Sequence, residues 1–364
     1  MNFLRKPWLI VLIVCLALVG AVSAQDETAF CDNLSISSAD CELYLRAFSN
    51  PFNSVAFDLD MSMHYDSDTF GDPIHMAVVG TVSIDPEVRA ELSDPNSDIF
   101  DSPIQALQQA IGAVNTRADI AIDIPDWSSD GYSMVPDRLR ISMALIDSVG
   151  YIDFSDLHIL APDEIPDGWY GMDIRPFVPI IFGQMNPFQV QPDPSVSMNM
   201  MYPLEGFEMV RLPDVMIDGR PAAVLQGDAD LGAIYNGVMG DAYRDMLRDM
   251  YAEMGVSPAQ SDALIETLFA MYENMTMSMI SIIDVETAYL YTLQVDIDMP
   301  FSGETWERLF GPGADMSSFM RGISMTMTLE MRDHNATAPA TAPEDAEIIP
   351  FTEVMPLLLG RDSG

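Results

Sequence analysis

Methionine supplies the first candidate chemistry. Met61 and Met63, Met198, Met200 and Met201, Met275, Met277 and Met279, and Met325 and Met327 form close groups in a chain with 28 methionines. Soft thioether sulfurs at short spacing are the ligands that select Cu(I). The groups also obey a second rule. They alternate with Ser, Thr or other polar residues, the period at which a strand sends side chains to opposite faces. Thioethers in strand register all point one way, so packing of a single apolar face explains the spacing without a metal. Packing is the expectation, with no metal site and no cofactor; a Cu(I)-binding protein is the alternative.

Catalytic chemistry finds less support. There is no Gly-x-Ser-x-Gly turn to present an activated serine. The four histidines, His64, His75, His158 and His334, read as surface residues. Asp66, Asp68 and Asp72, and separately Asp228 and Asp230, approach acidic loops, but no twelve-residue calcium loop with a closing glutamate is present. Solvated turns account for both groups. Among 56 acidic residues no carboxylate pair stands out for glycoside cleavage. No catalytic residue is assigned, and the chain reads as a non-enzyme.

Arg5 and Lys6, the apolar run from Trp8 to Leu18 and the small residues Val22-Ser23-Ala24 read as a secretory leader over residues 1–24. The run is short for a membrane span, and no later segment is long and apolar enough to cross. Neither Cys15 nor Cys31 follows the small residue that lipid attachment requires, so no lipid anchor is expected. The location is secreted or extracytoplasmic. Without the leader, 14 basic residues face 56 acidic ones and no lysine remains. Such a field repels nucleic acid and anionic head groups. The acids are spread along the chain, which is the pattern of a solvated surface. Cys31 and Cys41, an even pair in an exported chain, are expected to form a disulfide worth about 2–3 kcal/mol.

The elements that position these residues follow from periodicity. A helix is expected over 38–48, capped by Ser38 or Asp40, then strands over 54–65 and 74–84. A short helix follows over 104–114, then strands over 118–124 and 138–146. Further strands are expected over 207–211, 214–217 and 220–226, the last two joined by Asp218-Gly219, a strong hairpin signal. Two helices fill 241–275, interrupted at Gly255 and restarted at Ser257-Pro258-Ala259-Gln260. This pair is the candidate lid. Strands return over 276–284, 287–299 and 322–332. Long alternating strands with helices between them give an α+β domain. A Met and aromatic face of this kind is ordinary core, or a soft cavity wall for apolar chains.

Several elements resemble the LolA/LppX/LprG group of bacterial lipid and lipoprotein carriers. They are the opening helix before paired long strands, Tyr151-Ile152-Asp153-Phe154 leading to Gly168-Trp169-Tyr170-Gly171, and the hairpin from Phe207 to Leu225. The helical insert, the strand with Asp284, Thr287, Tyr289 and Leu290, and the ending from Ala342 to Pro350 are similar too. The resemblance implies a large curved antiparallel sheet, an open half-barrel, with helices covering its concave face and an apolar cavity between. It implies no catalytic residues. The lack of a fitting lipidation cysteine, extreme acidity and a larger helical insert depart from that pattern.

Together these readings predict an exported carrier or binding protein for a lipid or another apolar small molecule. The ligand would lie against Phe57, Leu59, Met61, Met63, Met277, Met279, Tyr289, Tyr291, Met325 and Met327. A membrane or a carrier protein would act as donor and acceptor, with no nucleic acid partner. The half-barrel would occupy 25–335, and 336–364 would be a linker and closing segment. The rival expectation is a structural or adhesive surface protein whose sheet is fully packed.

Overall fold

The computed structural model describes residues 31, 34–50, 52–67, 72–93, 97, 103–123, 137–160, 162–163, 165–178, 207–236, 238–253, 255–310, 313 and 320–350. The leader over 1–24, Met198, Met200 and Met201, Asp68, and the end of the chain beyond Pro350 lie outside them.

Helix α1 (Ser38–Ser49) opens the described fold. Its cap is Ser37 and neither of the expected Ser38 and Asp40: the Asp40 N–H donates to Ser37 Oγ at 3.2 Å. Ser37 has the extended backbone that a cap requires. Strands β1 (Ser54–Asp66) and β2 (Ile74–Ile84) follow. Helix α2 (Pro86–Ser93), which the periodicity missed, and α3 (Pro103–Ala113) precede β3 (Val114–Asp123). Strands β4 (Arg138–Ile146) and β5 (Val149–Asp153) form a hairpin over Asp147 and Ser148, both at positive φ. A short α4 (Ser155–Leu160) leads to β6 (Trp169–Asp173).

The two strands expected over 207–217 are one, β7 (Phe207–Ile217), with a register shift between Leu212 and Val215. Pro213 lies inside that shift, where its missing N–H costs no ladder bond. The turn to β8 (Arg220–Asp230) has Asp218 at φ 50° and Gly219 at φ 79°, the pair of positive angles that a tight hairpin needs. Between β8 and β9 (Thr276–Asp284) stand α5 (Leu231–Asn236), α6 (Val238–Glu253) and α7 (Pro258–Tyr272). The stem of this insert is closed by the Leu231 N–H donating to the Met275 carbonyl at 2.9 Å. A Cβ on Gly232 would lie 2.1 Å from the Glu273 carbonyl oxygen, so only glycine fits there. Strand β10 (Leu290–Pro300), helix α8 (Gly303–Phe310), β11 (Gly322–Arg332) and β12 (Glu347–Ile348) complete the order.

The twelve strands among the described residues form one sheet in the order β12-β6-β5-β4-β3-β2-β1-β11-β10-β9-β8-β7. Among those residues it has two edges and does not close. The sheet is mixed where an antiparallel one was expected, because β12 runs parallel to β6. The chain reaches that edge after β11 by turning at Asp333 and Asn335, both at positive φ. Ala340 and Ala346 then pack on Ala144, Ile146 and Tyr151.

The buried core sits at the margins. One cluster joins Cys41 and Leu43 of α1 to Met209, Leu225, Ile283 and Leu290. A second is the one under Ala340 and Ala346. A third lies within the helical pair, around Leu247, Ile265 and Phe269.

Candidate functional site

Register places the methionines. Ile122, Met76, Met61, Met327, Val295 and Met279 stand side by side across β3, β2, β1, β11, β10 and β9. Ile74, Met63, Met325, Ile297 and Met277 form the row beside it. Ile120, Val78, Leu59, Leu329 and Leu293 form the row on the other side. Phe57 and Met331 begin a fourth row. Residues two apart along a strand share a face, so these rows make one continuous apolar surface. It extends roughly 20 Å along the strands and 24 Å across them. Every one of these side chains is half-buried, and Met279, Leu293 and Met331 also pack against the buried cluster beneath α1.

Eight of the ten expected contact residues therefore share one face: Phe57, Leu59, Met61, Met63, Met277, Met279, Met325 and Met327. Tyr289 and Tyr291 are placed differently. Strand β10 begins at Leu290, and a bulge lies between Leu290 and Thr292. The Tyr289 ring stacks on His334 at 4.5 Å, and the Tyr291 hydroxyl donates to Asp284 Oδ2 at 2.8 Å. Met76, Val78, Ile120, Ile122, Leu293, Val295 and Ile297 were not among the expected contacts, although the alternation put Ile120, Ile122, Leu293, Val295 and Ile297 on the apolar side of their strands. In β2 the signal was blurred because Ala77 and Val79 make the opposite side apolar as well.

Helix α1 packs at the β7–β10 end of the apolar face, its Tyr44 and Leu45 against the cluster that Met279, Leu293 and Met331 also touch. The Tyr44 hydroxyl points to Met279 Sδ at 3.9 Å, and burial pushes its pKa up to about 12. The helix is fixed at three places. Cys31 and Cys41 are joined as a disulfide, with Cα atoms 5.7 Å apart. Arg211 Nη1 meets Asp40 Oδ1 at 2.5 Å while its Nη2 meets Asp214 Oδ1 at 2.6 Å. Asn50 Nδ2 donates to the Thr287 carbonyl at 2.6 Å. One polar atom is stranded on this face: Ser281 Oγ is buried with no hydrogen-bond partner.

Asp284 organises the β9–β10 turn. It is fully buried, accepts from the Glu286 and Thr287 N–H groups at 2.8 Å each, and lies 3.8 Å from Arg220 Nη1. Burial alone would raise its pKa. The bonds from Thr287, Tyr291 and Glu286 outweigh that and hold the carboxyl below the usual range.

The reverse of the sheet is polar, with Asp58, Asp60 and Ser62 on β1 and Thr326, Thr328 and Glu330 on β11. A trough of about 630 Å³ is lined mainly from this side, by Glu208, Asp228, Asp296 and Asp298 among others, with Met277, Ile297 and Met325 also in its lining. Among the described residues no three His, Cys, Asp or Glu side chains are grouped to hold a metal ion. No described helix is long and apolar enough to cross a membrane.

No protein-family profile matches the chain, and no curated protein matches it. Among solved structures it is similar to the lipoprotein LppX of Mycobacterium tuberculosis, at 10% identity and a TM-score of 0.29, over 83% of this chain and 97% of that one. It is also similar to a LolA superfamily protein of Nitrosomonas europaea, at 7% identity and a TM-score of 0.17, over 84% and 96%. These neighbours come from the group that the sequence resembles.

Proposed function

We propose that the chain is an exported, non-enzymatic carrier or binding protein for a lipid or another apolar ligand, held without covalent bonds on the methionine-rich face. One observation carries this reading. A contiguous apolar surface spanning six strands stays half-buried, and full burial is reached at its margin, where Met279, Leu293 and Met331 pack against a buried cluster. A contiguous apolar face of that size that stays partly open to solvent is the kind of surface a ligand covers. Each methylene that a ligand buries there contributes about 0.8 kcal/mol, so one long chain suffices for tight binding with no charged contact. Methionine adapts to chains of differing shape, which valine and isoleucine do not. Phe57, Leu59, Met61, Met63, Met277, Met279, Met325 and Met327 are the contacts. A membrane or another carrier supplies and receives the ligand outside the cytoplasm.

Native mass spectrometry with organic extraction, on protein secreted by its own or a related host, tests this. Co-purifying lipid of one class supports it. Protein that arrives empty and refuses fluorescent fatty acids and phospholipids overturns it in favour of a structural role. A second reading has its own observation: Met76, Met61 and Met327 are lateral neighbours on three adjacent strands, within reach of one soft ion. Stoichiometric Cu(I) binding lost in M61L would favour it.

A further inference from the structure

The helical hairpin α6–α7 has two unlike sides. Arg248 Nε meets Asp262 Oδ1 at 2.9 Å, and Arg244 Nε lies 3.9 Å from Glu266 Oε1. These four residues define one side. Met246 is two residues from both arginines, and Leu264 is two residues from both carboxylates. Two residues are about 200° of helix rotation, so both lie on the other side. Met250 joins Met246 one turn on. All three are exposed, at 42% for Met246, 43% for Met250 and 46% for Leu264.

The pair beneath them is stiff. Leu247, Ile265 and Phe269 are buried between the helices, and the Arg244 guanidinium lies 3.9 Å above the Phe269 ring. The three apolar residues are thus presented on a rigid support, with Asp249 exposed on α6 beside them and Asp245 turned to Arg248. Arg248 is also held by Asp245 at 2.8 Å and Arg244 by Asp241 at 3.7 Å, so both cations of α6 are already neutralised.

We infer that this side of the α6–α7 hairpin is a docking surface for a basic amphipathic helix of a partner protein. Three apolar side chains along the two packed helices match the apolar stripe of one helix. Methionine suits a surface that must repack around its occupant. The carboxylates of the hairpin and the formal charge of −40 select Lys and Arg at the borders of that stripe. The same charge repels an anionic membrane surface. The inference does not depend on what the sheet binds.

The test uses the secreted protein and a fluorescein-labelled amphipathic peptide of Leu and Lys, about five helical turns long. A scrambled peptide of equal composition is the control, with binding followed by anisotropy near 0.15 M salt, where nonspecific charge attraction is screened. The amphipathic peptide should bind at least about tenfold tighter than the scrambled one, a difference near 1.4 kcal/mol. The variant M246Q/M250Q/L264Q should remove that preference, and its exposed positions leave the fold intact. Equal binding of the two peptides, or an unchanged preference in the variant, overturns the inference. A variant that instead loses its lipid assigns the surface to the chain's own apolar face. A variant that converts a dimer to a monomer assigns it to a second copy. Either result also overturns the inference.

Discussion

Phe57 of β1 lays its ring over Gly80 of β2. A Cβ built on Gly80 would lie 2.5 Å from Phe57 Cζ and 2.5 Å from the Arg117 carbonyl oxygen of β3. The two residues are register partners on the apolar side. Glycine here is a space for an aromatic ring, which lies flat on the sheet and leaves the rows from Leu59 to Met63 clear.

Filling that space should lift the ring. Gly80→Val brings a side chain against both the ring and a backbone oxygen that cannot yield. A loss of about 1–3 kcal/mol in urea unfolding is expected. The displaced ring should occupy ligand space and weaken fluorescent-lipid binding. Gly80→Ala should do both to a smaller degree. Unchanged lipid affinity in a destabilised Gly80→Val protein would detach Phe57 from the binding face.

Charge on the face should expel the ligand. Met277 and Met327 stand on different rows, two strands apart, and both are half-buried. Replacing both with Asp places carboxylates where a ligand would desolvate them, at a cost that removes most of the affinity. Because water still reaches these positions, the fold should survive with a loss of about 1–3 kcal/mol. Organic extraction should then recover at least about tenfold less lipid, the loss that follows if only 1.4 kcal/mol of affinity is removed. Full lipid content in this variant would sink the assignment of the face.

Most of this face was legible because a period of two survives wherever one side of a strand is wet. β1 and β11 show it plainly: Asp58, Asp60 and Ser62 separate the apolar residues of one, and Ser324, Thr326 and Thr328 those of the other. Position across strands was not legible. Nothing local to Met76 says that it stands beside Met61, since register is set between strands and not within them. The same limit explains Tyr289 and Tyr291. Their spacing continues the alternation of Leu293 and Val295, but the bulge after Leu290 breaks it, and Asp284 and His334 take the two rings. Helices α2 and α8 were missed because each spans only 8 residues, too few for an apolar stripe to repeat. The disulfide needed only the compartment and an even count.

Acid should loosen the β9–β10 turn. The carboxyl of Asp284 is held below its unfolded range. Its contribution is therefore complete above the unfolded value near 3.9 and is lost as pH falls through the lower folded value. Stability measured by urea at pH 5 and below should drop more steeply in the native chain than in Asp284→Asn. At pH 7 the Asn variant should already be about 1–3 kcal/mol weaker, because one amide cannot accept from Glu286, Thr287 and Tyr291 together. Parallel pH profiles for the two proteins would show that Asp284 does not titrate with folding.

Breaking the disulfide should release α1 from the apolar face before anything else changes. Cys41 is fully buried in the cluster with Leu43, Met209 and Ile283, and its bond to Cys31 closes a loop with a sequence separation of 10. Opening a loop of that size costs about 2–3 kcal/mol. The Asp40–Arg211 pair is half-exposed and adds less, so it cannot hold the helix alone. Cys31→Ala/Cys41→Ala should lose hydrogen-exchange protection across 38–49 while β1 and β11 keep theirs. Uncovering Met279, Leu293 and Met331 enlarges the exposed apolar area, so the variant should bind an apolar dye more strongly than the native chain. Uniform loss of protection over the whole sheet would mean that α1 is part of the folding core rather than a cover on one end of the face.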